Sequence, residues 1–506
     1  MVQSGRKKCC LLVAGFGVLS TTGGSTVSLS PTPNRSPSWE GEQRREIMRH
    51  ILLRAYRIGV LLLAVGGVLF ASTASAQVSG TSTRLSTATA VHTQNDPTIS
   101  GTNVVWTDTE RLPSGSTNAD IYSYDLNTNG PAINLTNTPD DQEFLENIKG
   151  NKVVWTHSRA GSPGDIVLYD LPTANLTNIA TSSSAVSFQQ PAISSQYVAF
   201  VRTNIQSDID AFDYINGVSL RRSVTLDAAV QARPRVDGDF IVYEDYGSGN
   251  PNVFGYQIST LGPNFALASS GSVGQFFPDI NGHTVVWVEG VWDPTPQPPF
   301  RPLGGVVPGT EQIVAYDLFT RTRTQLTTVA SNKVQPRISG SRVIWTDDRN
   351  GNLDIYLYDL ATQQELRLIT GPGDHFFADI DGDRVVYTST ERGAEEVFLF
   401  TIATPATVSQ QVGDLRTAIT GLAASVFTNA NLQKAFINKI NAVVQDINQG
   451  LYQDALDKLQ NDILAKMDGC ATAGAPDSND WITDCGVQAQ VSSSILQAID
   501  LLRALI

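Results

Sequence analysis

One pattern, written seven times, constrains this chain more than anything else in it. Taking the glycine of Ile338-Ser339-Gly340 as an anchor, the equivalent positions are Gly101, Gly150, Ser195, Gly238, Gly282, Gly340 and Gly382. Two residues before each anchor stands a β-branched residue: Ile99, Ile148, Ile193, Val236, Ile280, Ile338 and Ile380. Five residues after it stands an aromatic: Trp106, Trp155, Phe200, Tyr243, Trp287, Trp345 and Tyr387. Matches at both offsets in all seven copies are not a chance event.

A second signature follows in each copy, an Ile or Val with a Tyr or Phe three residues on, from Ile121/Tyr124 to Val397/Phe400. Alternating β-branched and aromatic residues bounded by Gly, Asn and Asp read as strands of a meander. Several copies add a fourth short strand, such as Ile133 to Thr136 or Thr324 to Thr327. Four strands returning every 42 to 58 residues predict the blades of a β-propeller. A lone four-stranded sheet exposes two faces, so the recurrent aromatics are expected to pack blade on blade rather than to cage a ligand. The seventh copy has no fourth strand of its own. The segment around Leu85 aligns with that around Leu326, so residues 82–88 are expected to supply the missing outer strand and shut the ring. The expected fold class is mainly β: a seven-bladed propeller over residues 77–406, closed by an N-terminal strand, followed by a small α-helical module over 407–506.

Pro336 to Leu360 resembles the TolB-like propeller repeat almost in full, and the resemblance covers about residues 82–403. It implies a periplasmic propeller that binds protein partners. Seven copies and a helical C-terminus depart from TolB itself, which has six blades, so its particular partners are not carried across. Beyond residue 407 the period lengthens to that of a helix. Leu432, Phe436, Ile437, Ile440, Val443, Val444 and Ile447 share one face, and Gly450 stands where a helix should stop. Residues 452–467 and 491–505 repeat the behaviour, and the segment is similar to the FIMAH-like helical modules of exported microbial proteins.

Residues 48–76 run from Arg49, Arg54 and Arg57 through an apolar stretch to Ala74-Ser75-Ala76, the order an export signal needs. Residues 1–47 carry no strand or helix period and read as an unstructured extension or an upstream start. Residues 1–77 hold nine of the 35 basic and three of the 49 acidic residues, so the remainder has a net charge near −20. Such a surface disfavours nucleic acid and anionic lipid. Export leaves Cys470 and Cys485, most simply a single disulfide. The expected location is the periplasm or the cell exterior, with no membrane span in the mature chain.

Chemistry is harder to find. Asp347, Asp348, Asn350, Asn352 and Asp354 could coordinate Ca²⁺, but they stand where the repeat demands a hairpin turn, and turn chemistry explains them better. No other cofactor is implied. Gln94, Glu143, Gln231, Gln275 and His375 occupy one repeat position before the inner strand and form a candidate polar ring at the channel mouth. Capping of backbone groups explains them equally well. The long insertion of copy five offers Trp292, Phe300 and Arg301 as a contact site. No nucleophile elbow, phosphate loop or dinucleotide fingerprint is present. The reading favoured is therefore a non-catalytic binding or scaffold protein with a protein or polysaccharide partner at the cell envelope. The alternatives are a polysaccharide lyase or hydrolase working at the channel mouth, and a surface-layer component.

Overall fold

The computed structural model describes residues 77–506, apart from 90, 113–115, 129, 140, 160–163, 221–223, 226–227, 269–270 and 296–304. The expected extension and export signal therefore lie outside the described residues. Two compact units emerge among them: Arg84–Leu399, and Gln77–Thr83 with Phe400–Ile506.

Strand order in the first unit follows the repeat. Unit two of the repeat, for example, runs Gln142–Lys149, Lys152–Ser158, Asp165–Asp170 and Asn175–Ala180, each antiparallel to the last. The described strands fall into seven such meanders, of four strands each apart from a fifth short strand, Gly305–Val306, beside Thr284–Asp293 in unit five, and two of them are joined into one larger sheet by a parallel bridge between Ala119 and Gln142. In unit seven the fourth place is taken by Gly80–Arg84, which lies beside Glu396–Ile402. Just beyond that strand, Leu85 N–H donates to Val397 O at 2.9 Å, and Val397 N–H donates to Ser86 Oγ at 2.8 Å. Each innermost strand lies beside the innermost strand of the next unit, and that of unit seven lies beside that of unit one. The result is a β-propeller around a central channel.

The seven repeat aromatics are buried, with Trp287 and Trp345 fully enclosed. Most stack on an aromatic of the neighbouring strand, as Trp345 does on Tyr356 with centroids 6.1 Å apart. Apolar clusters bridge consecutive units, such as the one joining Val286 and Ile313 to Val343 and Trp345. Burying a side chain of this size stabilises by roughly 2–3 kcal/mol. Six anchor glycines have φ between 52° and 60°, the left-handed conformation that a tight turn after the inner strand requires. At Ser195 the turn is held differently, with Ser194 Oγ accepting from Tyr197 N–H at 3.0 Å.

The inner strands also carry a feature that the residues at it do not mark by their own chemistry, although a proline follows directly in five of the seven copies. Each contains a bulge, and the residue at it has positive φ although none is glycine: Asp96, Leu145, Gln190, Arg233, Phe277, Gln335 and Phe377, with φ from 49° to 57°. A bulge adds one residue to one strand and turns the side chains that follow it. Units are laced together at this level. Ile99 N–H donates to Asp379 Oδ2 at 3.0 Å, Ile338 N–H to Asp279 Oδ2 at 2.9 Å, and Ile193 N–H to Asn147 Oδ1 at 3.2 Å.

The second unit contains helices Pro405–Gly421, Ala430–Asn448, Tyr452–Asp457, Gly469–Ala473 and Cys485–Arg503. Phe436, Ile440, Val443 and Ile447 are buried in its core, as the periodicity predicts, and Gly450 follows the second helix with φ of 74°. The last helix starts earlier than 491 because Asp484 caps it, its side chain accepting from Val487 N–H at 2.9 Å. The third helix is short and passes into wider and then tighter turns over Lys458–Ile463 and Leu464–Lys466. A disulfide joins Cys470 to Cys485. No helix among the described residues is long and apolar enough to cross a membrane.

Candidate functional site

Antiparallel pairing fixes what faces each member of the expected polar ring. Gln94, Glu143, Gln231, Gln275 and His375 stand opposite Asp108, His157, Asp245, Glu289 and Ser389, respectively. The expected ring is buried throughout. Gln94 Nε2 donates to Asp108 Oδ2 at 2.8 Å, and Gln231 Nε2 to Asp245 Oδ2 at 2.8 Å. Gln275 Oε1 accepts from Val253 N–H of the preceding unit at 2.9 Å, while its Nε2 donates to Glu289. His375 N–H donates to Leu353 O of the preceding unit at 2.7 Å, and burial pushes its imidazole down from the usual range. At these four positions the side chain or backbone ties strands and units together.

Glu143 is different, because unit two has exchanged the two sides of the pair. In units one, four and five an amide on the inner strand meets a carboxylate on the second strand; here the carboxylate is inner and a histidine answers it. Glu143 is fully enclosed, with 0% exposure, and its Oε1 lies 2.7 Å from His157 Nδ1. Thr138 Oγ1 donates to the same carboxylate at 2.9 Å. Burial pushes the Glu143 carboxyl up, against the pull of the hydrogen bonds from His157 and Thr138. On the other side of the ring, Arg159 Nε donates to His157 Nε2 at 2.9 Å. Since a guanidinium can only donate, Nε2 must carry the lone pair and Nδ1 the proton. Asp141 Oδ2 completes the group, 3.3 Å from His157 Nε2 and 3.9 Å from Arg159 Nε. Asp141, Glu143 and His157 offer ligand atoms within 4.8 Å of one another. Glu143 is already committed to His157 and Thr138, which leaves Nε2 and Asp141 as the pair that could hold a metal. Asp468, Asp477 and Asp480 form a second such group in the helical unit.

A charged layer sits deeper, next to the bulges. Arg235 Nε lies 3.7 Å from Asp279 Oδ1, and Arg337 Nε lies 3.8 Å from Asp379 Oδ1, so an arginine of one unit meets an aspartate of the next. Burial pushes the Asp379 carboxyl up to about 6 despite Arg337. Glu146 is 6% exposed, and burial together with the charge of Asp96 pushes it up to about 8. None of these charged residues was singled out by the sequence reading. Glu146 did leave a signal: the equivalent position is Pro97, Pro191, Pro234, Pro278, Pro336 and Ala378 in the other copies.

The candidate calcium residues form a hydrogen-bonded hairpin turn. Asn350 Nδ2 and Asn352 Nδ2 both donate to Asp354, at 2.7 and 2.8 Å. Asp347 accepts from Trp345 Nε1 at 3.1 Å and Arg349 Nη2 at 2.6 Å, and Asp348 accepts from Asn332 N–H at 2.8 Å. Trp292 is half-buried against Phe276, with ring centroids 5.8 Å apart, whereas Phe300 and Arg301 lie outside the described residues.

No protein-family model and no curated protein matches the chain. Similar solved structures include the β-propeller domain of the Trilobed protease from Pyrococcus furiosus, at 15% identity and a TM-score of 0.47, over 62% of this chain and 94% of that one. An oligogalacturonate lyase in complex with manganese is similar at 12% identity and a TM-score of 0.49, over 65% and 95%. The acylaminoacyl peptidase of Pyrococcus horikoshii is similar at 14% identity and 0.45, over 61% of this chain and 51% of its own length. The expectation of a non-catalytic binding or scaffold protein is corrected to this extent: the similar structures named here are an oligogalacturonate lyase, a peptidase and the propeller domain of a protease. At such identities the likeness extends to the fold and assigns no reaction. The chain is a β-propeller followed by a small helical unit.

Proposed function

We propose that the protein is an exported carbohydrate-active enzyme that cleaves an acidic polysaccharide by β-elimination at the end of the propeller where His157 lies. The observation that carries this reading is the His157 imidazole, oriented through Nδ1 by an enclosed carboxylate and presenting the Nε2 lone pair to an arginine. A base held in one tautomer by a third group is the arrangement that proton abstraction needs. The Arg159 side chain is 57% exposed, so it is free to leave Nε2 for the carboxylate of a uronic-acid residue. That movement uncovers the base only when an anionic substrate is present. His157 Nε2 then takes the proton next to the uronate carboxylate, whose charge Arg159 offsets. The electron pair forms the C4–C5 double bond, the C4–O bond breaks, and the leaving oxygen recovers a proton from the imidazolium. Asp141, beside both groups, stabilises the imidazolium. Export is supported by the signal-like segment before residue 77 and by the disulfide.

The test is incubation of residues 77–506 with uronic-acid polysaccharides and, separately, neutral glucans. Ultraviolet absorbance of the unsaturated product and the yield of reducing ends are both followed. Absorbance is expected with acidic substrates and should fall by about 10²-fold or more in His157→Ala. Reducing ends without absorbance would mean hydrolysis and reject the elimination. Equal activity in His157→Ala would remove the site altogether.

A further inference from the structure

We propose that Glu146 and Asp96 hold a calcium ion in the channel wall between units one and two. The two residues stand on innermost strands that lie side by side, Gln142–Lys149 and His92–Ser100, and both belong to the bulges of those strands. Asp96 is the bulge residue of unit one, with φ of 56°, and Glu146 follows Leu145, the bulge residue of unit two, with φ of 57°. Glu146 replaces the proline or alanine of every other copy, so the repeat needs no carboxylate there. It is nevertheless 94% enclosed, since its exposure is 6%. One of its oxygens, Oε2, accepts from Thr107 Oγ1 at 2.6 Å. The other, Oε1, is buried with no hydrogen-bond partner of good geometry among the described residues, although the backbone N–H groups of Glu146 and Thr107 lie close enough to the carboxyl to pull it down. On the strand that carries Asp96, Thr98 Oγ1 is buried in the same condition.

Burying an unpartnered carboxylate oxygen next to a second carboxylate is costly unless something positive joins them. Arg235 and Arg337 lie against the aspartates of units five and seven, and although Arg235 also feels the charge of Asp96, no ion pair between an arginine and Glu146 forms among the described residues. An all-oxygen set of carboxylates and hydroxyls suits a hard cation rather than a transition metal. Calcium, which accepts irregular oxygen geometry, fits a site built from two strand bulges better than magnesium, which demands an octahedron. After burial, the charge of Asp96 is the next influence that pushes the Glu146 carboxyl up, in keeping with this placement. The site shares no residue with the Asp141, Glu143 and His157 group.

The experiment is titration of residues 77–506 with calcium chloride, followed by thermal unfolding and by calorimetry in buffers of different ionisation enthalpy. Saturating Ca²⁺ is expected to raise the Tm of the propeller by about 2 °C or more. Binding near pH 7 is expected to release about one proton per ion, because the cation displaces the proton that Glu146 otherwise keeps. Both effects should vanish in Glu146→Gln and persist in His157→Ala. If wild-type protein shows no Tm rise and no heat at millimolar Ca²⁺, the two carboxyls share a proton rather than an ion and the proposal fails. It fails equally if Glu146→Gln responds like wild type, or if Mn²⁺ binds more tightly than Ca²⁺ and His157→Ala abolishes that binding.

Discussion

Glu146 shows how one side chain departs from a repeat and what that does to the energetics. In calcium-free buffer its carboxyl keeps its proton up to about pH 8, whereas in the unfolded chain it ionises near its ordinary value of 4.5. Between those pH values the folded state binds more protons than the unfolded one, so stability falls as pH rises. Below about 4.5 both states are protonated, and above about 8 both are ionised, so the contribution is level at each end. Glu146→Gln removes the titration while keeping the shape. Denaturant melts across this range should show wild type losing stability against the variant, at no more than about 1.4 kcal/mol per pH unit. Parallel pH profiles for the two proteins would show that the carboxyl is not enclosed as described. The Glu143 and His157 pair makes a related point, because placing the carboxylate on the inner strand and a histidine opposite it, where units one, four and five have an amide and a carboxylate, turns a structural tie into an oriented base.

At the scale of the strand, the bulges matter most. Seven non-glycine residues occupy left-handed backbone conformation at one repeat position, and each such residue costs roughly 1–2 kcal/mol relative to glycine. The cost recurs because the bulge sets the lacing between units, where Asp279 and Asp379 receive N–H groups from the following inner strand. Gln335 is the clearest place to measure it. Its φ is 52° and its Oε1 is buried with no partner among the described residues. Gln335→Gly is expected to raise stability by about 1 kcal/mol, read as a shift in the denaturant midpoint with unchanged slope. Loss of stability would mean that the side chain does more than the backbone strain takes away. The anchor glycines are legible from sequence because nothing else suits their turn cheaply. The bulge residues themselves, Asp, Leu, Gln, Arg and Phe, share no chemistry that would mark the position, and only the proline that follows in five copies hints at it.

Across the whole molecule the closing strand decides whether the ring holds. Residues 82–88 were expected to complete the seventh sheet, and Gly80–Arg84 lies beside Glu396–Ile402, with Leu85 and Ser86 bonded to Val397. Removing residues 77–88 leaves the third strand of that sheet as an open edge, a template for pairing with other chains. The truncated protein is expected to unfold at lower temperature and to self-associate. A synthetic peptide of residues 77–88 should reverse both, as judged by thermal melts and light scattering. A truncated protein as stable and monodisperse as the parent would mean that the strand is dispensable.

What the sequence by itself determined is the periodic part: the β-branched and aromatic offsets, the four-stranded units, the borrowed closing strand and the change to helical period after residue 407. Those features depend on local alternation and on burial of one face at a time, and seven copies of one pattern state them redundantly. Only the tertiary structure decided which side chains meet. Register placed His157 opposite Glu143, the packing of inner strands side by side set the strand of Asp96 against that of Glu146, and neither pairing follows from spacing along the chain. Chemistry at a site depends on distances of a few ångströms between residues of separate strands, and the fold fixes those distances only once every sheet has taken its place in the ring.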